Sequence, residues 1–320
     1  MTLRVGLIGA GMVAAHHAAG WASCDAAELI AVADPHRGRA QDLARRIGRP
    51  HFASLAEMAA SVPLDAVDIV APVGTHAALV REAVAAGLHV MCQKPLTPTA
   101  EEAAALTASL PDHPRVMVHE NWRWRAPYRA LKASLTGREQ TFAMTMTSSG
   151  LIARQDGSLP ALTRQPFFAQ LKRLLVFEVL IHHLDTLAFL FGPVRIEKAR
   201  IRCRCPAVRG EDYAEIHLTA GSAKGRLTGD WMVPGAPTMP HDTLAVDGAI
   251  RVDGWTLTRG ENVVAWDAAT AYAESYASTI DHFVAAVGNG ARFETPASAG
   301  HAALQAVEEV YRLAKVSRPP

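Results

Sequence analysis

Residues 3–14 read LRVGLIGAGMVA, an apolar run followed by a cluster of small residues at Gly9, Gly11 and Ala14. This order matches G-x-G-x-x-A, a variant of the turn that holds the pyrophosphate of a dinucleotide. In such a turn Gly9 would make the tight bend, Gly11 would let the backbone approach the phosphates, and Ala14 would let the helix pack closely on the strand. The N-terminus of that helix would offer amide donors to the phosphates. The stretch predicts a strand, a turn and a helix that begin a nucleotide-binding fold.

An acidic residue ends the second predicted strand. Asp34 lies 25 residues after Gly9, where a carboxylate can accept both ribose hydroxyl groups of an adenosine. Its negative charge favours NAD over NADP, because it would repel a 2′-phosphate. Arg37 and Arg39 follow closely and could accommodate that phosphate, so NADP stays open as the alternative. A structural turn that binds no nucleotide is the competing interpretation.

The first 120 residues alternate short apolar runs with alanine-rich helical patterns, which is typical of βαβ units and a parallel sheet. They predict a doubly wound Rossmann sheet of about six strands. The predicted strands are 3–9, 28–33, 49–53, 66–72, 88–92 and 115–119, and the predicted helices are 14–23, 37–47, 76–86 and 101–110.

The pattern changes near residue 121. A short helix and a β-rich stretch precede a long apolar helix over 172–191, then strands without intervening helices, and two closing helices over 273–287 and 297–316. The predicted strands of this part are 195–203, 213–219, 223–232, 242–246 and 249–252. Residues 148–170 are predicted as a long loop. This order indicates an α+β domain with an open, mostly antiparallel sheet, so we divide the chain into domains 1–120 and 121–320.

Composition excludes several classes of protein. Lysine and arginine total 32 and aspartate and glutamate 31 among 320 residues, for a net charge of +1. That balance leaves no electrostatic footprint for nucleic acid or an anionic membrane. Four scattered cysteines are too few for a disulfide framework or a four-ligand zinc site. No basic leader with a small-residue cleavage site opens the chain, so we expect a soluble, cytoplasmic protein.

Lys94 follows the fifth predicted strand, within Gln93-Lys94-Pro95. Open α/β sheets bind ligands beyond the carboxyl ends of their strands. A lysine partly desolvated there can donate to a substrate oxygen and stabilise developing alkoxide charge. A solvated loop lysine is the structural alternative, and the position beside the expected nicotinamide favours the functional one.

Three ionisable residues share one face of the predicted helix 172–191. Glu178, His182 and Asp185 are spaced by four and three residues, which places them on one side of a helix. The helix is otherwise apolar nearly all round, so we expect it to be buried. Buried ionisable groups must pair or point into a cleft, because desolvating a charge is costly. A satisfied structural network and a metal site built on these residues remain alternatives, whereas His183 is expected to be a core or interface histidine.

Taken together, these motifs resemble the Gfo/Idh/MocA oxidoreductases over essentially the whole chain. The shared positions are Gly9–Ala14 with His16, Asp34-Pro35, Pro72 with His76, Ala86-Gly87-x-His89-Val90, Lys94-Pro95, and Glu178 with His182 and Asp185. The resemblance implies a Rossmann domain, a second α/β domain whose open sheet forms an oligomer interface, and oxidation of sugar or cyclitol hydroxyl groups. We therefore expect a homodimer or homotetramer in which an apolar sheet face is buried against a symmetry mate. Gln93 and Glu178 depart from the family's usual glutamate and aspartate.

A closer resemblance is to the D-apiose dehydrogenases of this family. It rests on residues 119–124 (HENWRW), 148–151 (SSGL), 164–167 (RQPF), 178–185 and 209–212 (RGED). It implies hydride transfer from the anomeric carbon of an aldose to NAD, which yields a lactone. Two alternatives remain: an NAD-dependent glycosidase of the same family, and a nucleotide-dependent sugar sensor without catalysis.

The resemblance and the motifs assign the site residues. Lys94, His182 and Glu178 are the predicted catalytic residues. The predicted cofactor-binding residues are Gly9, Gly11, Met12, Val13, Asp34, Arg39, Pro72, His76, Gln93 and Lys94. The predicted substrate-binding residues are Asn121, Arg123, Arg164, Glu178, His182 and Asp185. No metal is assigned, and a small carbohydrate is the expected ligand.

Overall fold

The structure is a computed structural model that describes residues 2–135 and 139–317. The chain forms two compact units. The first comprises Met1–Trp124 and Ala269–Leu304, and the second comprises Arg125–Ala268 and Gln305–Pro320.

The first unit is a six-stranded, wholly parallel sheet in the order β3-β2-β1-β4-β5-β6. The strands are β1 (Leu3–Ile8), β2 (Ala27–Ala33), β3 (His51–Phe52), β4 (Ala66–Ile69), β5 (His89–Gln93) and β6 (Val116–His119). The helices are α1 (Ala14–Ala22), α2 (Arg37–Ile47), α3 (Leu55–Ser61), α4 (Val73–Ala85) and α5 (Ala100–Ser109). The predicted doubly wound sheet is confirmed, and its strand order reverses between β1 and β4, where such folds bind dinucleotides.

Helix α3 was not predicted, although its start carries a recognisable signal. The Ser54 hydroxyl accepts a hydrogen bond from the Glu57 amide at 3.1 Å, and the Glu57 carboxylate accepts one from the Ala53 amide at 2.8 Å. This reciprocal pair is a capping box. The spacing S-x-x-E is therefore a signal in the sequence for the start of this helix.

A late segment of the chain completes the first unit. Helix α9 (Ala268–Asn289) places Ile280 and Phe283 in the same hydrophobic core as Trp21. The predicted division at residue 120 assigned this helix to the second domain. The structure differs because the apolar face of α9 is buried against α1, a pairing that sequence periodicity does not specify.

The second unit is a nine-stranded mixed sheet in the order β14-β13-β12-β11-β7-β10-β9-β8-β15. The strands are β7 (Thr141–Thr147), β8 (Val194–Arg202), β9 (Tyr213–Ala220), β10 (Ala223–Asp230), β11 (His241–Val246), β12 (Ile250–Asp253), β13 (Thr256–Arg259), β14 (Asn262–Ala265) and β15 (Ala314–Ser317). Its helices are α6 (Ala126–Lys132), α7 (Pro160–Arg164) and α8 (Ile181–Phe191), and α10 (Ala297–Leu313) begins in the first unit and ends in the second. Only the β7–β10 and β8–β15 pairings are parallel among the strands described, so the mostly antiparallel sheet is confirmed.

Strands β13 and β14 were not predicted, and three predicted elements of the second unit differ in their detail. The predicted loop 148–170 contains α7 and a 3-10 turn over Pro166–Gln170. The predicted helix 172–191 begins with a π-helical turn over Leu175–Leu180 before α8. The predicted helix 297–316 ends at Leu313, and strand β15 follows. Within residues 2–135 and 139–317, no helix combines the length and the apolar character that crossing a bilayer requires.

The two faces of this sheet differ in polarity. On β9, Ala214, Ile216 and Leu218 are fully buried, whereas the alternating Glu215, His217 and Thr219 are partly exposed. Helix α8 packs against β8 and β9. At β9 the expected uncovered apolar face is not found, because α8 lies on the apolar side and the opposite side is polar. The oligomer stays a prediction that rests on the family resemblance.

Candidate active site

The glycine turn has the space that a pyrophosphate needs. Gly9 has a φ of +103°, and a Cβ atom there would lie 2.9 Å from the Ala71 backbone nitrogen, so only glycine fits. A Cβ atom at Gly11 would have no described protein atom within 4 Å apart from its own residue and its two chain neighbours. Val13 occupies the N-cap of α1, and no side chain caps that helix end. The exposed turn and its backbone amides therefore fit a bound dinucleotide phosphate.

Asp34 joins this turn to the end of β2. Its Oδ2 accepts a hydrogen bond from the Ala10 amide at 2.8 Å, and its Oδ1 accepts one from the His36 amide at 2.7 Å. Each carboxylate oxygen has a second lone pair that can accept from a ribose hydroxyl group. Arg37 and Arg39 are exposed in the first turn of α2. The structure thus gives Asp34 a positioning role in addition to the predicted contact with the cofactor.

Lys94 is half-buried directly after β5, and its main chain is held by a chain of hydrogen bonds. Gln93 Oε1 accepts from the Lys94 amide at 2.7 Å, and Gln93 Nε2 lies 3.0 Å from His17 Nε2. His17 Nδ1 lies 2.7 Å from Asp68 Oδ2, which also accepts from Trp21 Nε1 at 2.7 Å. His17 and Asp68 are fully buried. The sequence analysis missed this pair, although an aspartate inside a buried strand is a signal that a buried donor is present.

His76 is enclosed rather than presented to a ligand. Its Nδ1 lies 2.9 Å from the Pro95 carbonyl oxygen and its Nε2 lies 2.7 Å from the Ala71 carbonyl oxygen. Only 1% of the residue is exposed, and burial lowers the pKa of its imidazole. Its ring therefore helps to hold the turn after Lys94, and its contact with the cofactor stays a prediction. Pro72 is exposed at the N-cap of α4.

Asn121 and Arg123 have partners inside the first unit. Asn121 Nδ2 donates to Ser275 Oγ at 3.0 Å, and an Arg123 guanidinium nitrogen donates to the Glu294 carbonyl oxygen at 3.0 Å. Both side chains are buried. These bonds fix the segment after β6 against α9 and the chain that follows it. Direct contact of these two residues with a substrate stays a prediction.

The ionisable helix face lies in the second unit, where a π-helical turn precedes α8. Glu178 is half-buried within that turn, and His182 and Asp185 are buried in the first turns of α8. π-Helical turns occur frequently at functional sites. Across residues 2–135 and 139–317, no group of three His, Cys, Asp or Glu side chains is arranged to hold a metal ion.

His183 is a core residue, as predicted. Its Nε2 lies 2.8 Å from Asp242 Oδ1, and Asp242 Oδ2 accepts from the Arg125 guanidinium at 2.5 Å. All three side chains are buried, so the charges of Arg125 and Asp242 compensate each other. The network anchors α8 to β11 through the residue adjacent to His182.

Glu211 caps the π-helical turn, a role that the sequence analysis did not predict. Its Oε1 accepts from the Val176 amide at 2.9 Å, the Leu174 amide at 3.2 Å and the Tyr311 hydroxyl at 2.6 Å. Burial raises the pKa of its carboxyl group. A Cβ atom at Gly210 would lie 2.5 Å from Leu174 Cβ, so the contact requires glycine. The shared sequence RGED at 209–212 was the available signal.

Arg164 ends α7 and is half-buried. Burial lowers the pKa of its guanidinium. With the part of the chain that the structure describes, this group makes no hydrogen bond or ion pair. A partly desolvated donor of this kind is suited to a substrate oxygen.

Comparison with known proteins places this geometry in a family. Residues 3–120 match the Gfo/Idh/MocA family, described as an oxidoreductase family with an NAD-binding Rossmann fold. A D-apiose dehydrogenase of Paraburkholderia graminis is 30% identical over 98% of this chain and 88% of its own. An inositol 2-dehydrogenase of Rhizobium meliloti is 26% identical over 98% of this chain and 97% of its own.

Solved structures agree. An oxidoreductase from Agrobacterium radiobacter, crystallised in complex with NAD+, L-tartaric acid and magnesium, is 25% identical and has a TM-score of 0.85, covering 98% of this chain and 96% of that one. The predictions of an NAD cofactor and of an enzyme related to sugar and polyol dehydrogenases are confirmed. The chain belongs to the Gfo/Idh/MocA family of NAD-binding oxidoreductases.

Proposed function

We propose that this oxidoreductase oxidises an aldose at its anomeric carbon, with D-apiose as the first substrate to test, and yields a lactone and NADH. The observation that carries the proposal is the placement of Lys94. It is half-buried just beyond the carboxyl end of β5, where open α/β sheets bind their ligands. Gln93 and His76 fix the main chain on either side of it. The similarity to D-apiose dehydrogenases over nearly the full length supports the choice of sugar.

The cofactor would be held by the glycine turn and by the end of β2. The amides of Gly11, Met12 and Val13 face the phosphates in this proposal, and Asp34 accepts from the adenosine ribose. Arg39, exposed at the start of α2, contributes a donor nearby. When bound, NAD supplies a nicotinamide carbon that accepts a hydride.

The proton and the reacting oxygen are assigned to three side chains. His182 takes the hydroxyl proton as general base, because an imidazole changes charge near neutral pH. Glu178 orients that imidazole. Lys94 holds the reacting oxygen and stabilises the negative charge that develops on it. The proposal needs Lys94 and His182 to serve one substrate hydroxyl group.

The remaining hydroxyl groups would be recognised by four further polar side chains. Asp185 follows His182 by less than one helical turn. Arg164 is a half-buried donor. Asn121 and Arg123, buried at the end of the segment after β6, are assigned the remaining contacts with the sugar.

The deciding experiment incubates purified protein and NAD with D-apiose, other aldoses, cyclitols and glycosides. We expect stoichiometric NADH and lactone from one or a few aldoses. Glycoside cleavage without net NADH would instead identify the NAD-dependent glycosidase. Sugar binding without turnover across the whole panel would identify a sensor. A cyclitol as the preferred substrate would refute oxidation at an anomeric carbon.

A further inference from the structure

The hydrogen bonds between β5 and the core have a single possible direction. The Lys94 amide can only donate, so the Gln93 side-chain atom that it meets at 2.7 Å is the carbonyl oxygen. Gln93 Nε2 is then a donor, and the ring nitrogen 3.0 Å away, His17 Nε2, must accept. His17 therefore carries its proton on Nδ1 and donates it to Asp68 at 2.7 Å. Whether each group in the series donates or accepts is thus set by the group before it.

The series of hydrogen bonds ends in the core at a carboxylate that accepts from few donors. Asp68 is fully buried, and its Oδ2 accepts from both His17 and Trp21 Nε1. Asp68 Oδ1 has no hydrogen-bond partner among residues 2–135 and 139–317. A proton on Asp68 Oδ2 would have to be donated to His17 Nδ1. The proton of His17 would then lie on Nε2 and meet the amide protons of Gln93, so the geometry excludes that arrangement.

We propose that Gln93 is a positioning residue for Lys94, and that the same side-chain amide that holds the Lys94 main chain fixes His17 as its Nδ1–H tautomer. The inference rests on the proposed function only for the role of Lys94. An amide is required because it alone is donor on one side and acceptor on the other.

A glutamate in the same place would change the protonation of the core. One of its oxygens would accept from the Lys94 amide and the other would face His17 Nε2. His17 would then need a second proton in order to donate to both Asp68 and position 93. The bond that holds Lys94 would become linked to proton uptake.

Other ionisable groups lie around His17, and they must be considered whenever wild type is compared with a variant at position 93. His119 on β6 packs against its ring with the centroids 4.2 Å apart, and Tyr276 on α9 packs edge-on at 5.4 Å. His16 precedes it on α1, and burial lowers the pKa of His16. These groups and Lys94 are present in wild type and in a variant at position 93, so the 15N resonances of His17 itself are needed to identify the group that takes up the proton.

The first test is 15N NMR of histidine-labelled wild-type protein. We expect the His17 resonances of a ring with a protonated Nδ1 and an unprotonated Nε2 at neutral pH. A proton on Nε2, or on both nitrogens, at neutral pH would overturn the inference. This test needs no variant that could fail to fold.

The second test compares Gln93→Glu with wild type over the same range of pH. We expect both His17 nitrogens to be protonated in the variant at acidic pH. The Tm and kcat of the variant should fall relative to wild type as the pH rises, because the lost proton leaves two acceptors facing each other. Gln305→Glu makes the same chemical change at an exposed position of α10, and it should keep the wild-type profile.

The results separate this inference from the proposed function. A constant difference in Tm between Gln93→Glu and wild type at every pH would overturn the proposed link between position 93 and His17. Near-normal kcat in Lys94→Ala would refute the catalytic role of Lys94. The NMR signature of His17 would still test whether Gln93 fixes the tautomer of His17. Gln93→Met, which removes both side-chain hydrogen bonds, should lower kcat roughly 10- to 100-fold, the range expected for a misplaced catalytic group. Unchanged kcat would refute positioning.

Discussion

Replacing Asp34 with alanine removes the acceptor of two backbone amides, and the cost follows from where those amides lie. The Ala10 amide is half-buried in the glycine turn, whereas His36 is exposed. Water can replace the bond to His36, so the main loss is one hydrogen bond to a charged group, about 2 kcal/mol of unfolding free energy. For a domain of this size the Tm should fall by about 4–8 °C.

The same substitution should alter the choice of cofactor. Wild type should use NAD with a higher kcat/KM than NADP, because Asp34 would repel a 2′-phosphate. Asp34→Ala should narrow that ratio, since Arg37 and Arg39 would then face the phosphate unopposed. Asp34→Asn keeps an acceptor oxygen and removes the charge, so it should narrow the ratio with a smaller loss of Tm.

The assay measures kcat/KM for both cofactors and thermal unfolding on the same preparations. Asp25→Ala, at an exposed position before β2, is the matched control and should change neither quantity. A wild-type preference for NADP would refute the interpretation of Asp34 and show that the arginines dominate. An unchanged Tm in Asp34→Ala would refute its role in holding the glycine turn.

Three further outcomes are expected. Lys94→Ala and His182→Ala should each lower kcat by roughly 100-fold or more, and the double variant should lose less than the product of the two effects because both groups serve one proton transfer; multiplicative losses would contradict this. Because burial raises the pKa of Glu211, its contribution to stability is full below the ordinary glutamate value of 4.5 and is lost as pH rises through the raised value. The Tm of wild type should therefore fall relative to Glu211→Gln as the pH rises from 4.5 to the raised pKa, and parallel Tm curves would contradict this. Light scattering should give a dimer or tetramer, and a mass of 34.3 kDa, that of one chain, would refute oligomerisation.

The Rossmann unit was predictable because its signals are local. The apolar run and the glycines of residues 3–14 specify strand, turn and helix within one stretch, and Asp34 marks the end of β2. Helix α9 was assigned to the wrong unit because its partner, Trp21, lies far away in sequence. The hydrophobic periodicity of a helix shows which of its faces is apolar, but it does not show which distant helix that face packs against.

The site was predictable in the residue types and less so in their partners. Spacing identifies Glu178 and His182 on one helix face, but it cannot indicate the π-helical turn, which depends on the cap that Glu211 provides from another strand connection. His76 matched the family pattern, yet its two carbonyl partners are visible only in the folded chain. The sequence identifies the hydrogen-bond donors and acceptors, and the folded structure shows which of them already have partners.

The return of α9 to the first unit has a consequence for how the protein is made. Ribosomes add about 5–20 residues per second, so the roughly 180 residues between Trp124 and Leu304 take on the order of 10–40 seconds to synthesise. For most of that interval the N-terminal strands have emerged, whereas Ile280 and Phe283, which pack in the same core as Trp21, have not yet been synthesised. The nascent chain therefore exposes an apolar surface beside Trp21 until translation is nearly complete, and chaperones that bind such surfaces should associate with it over that window.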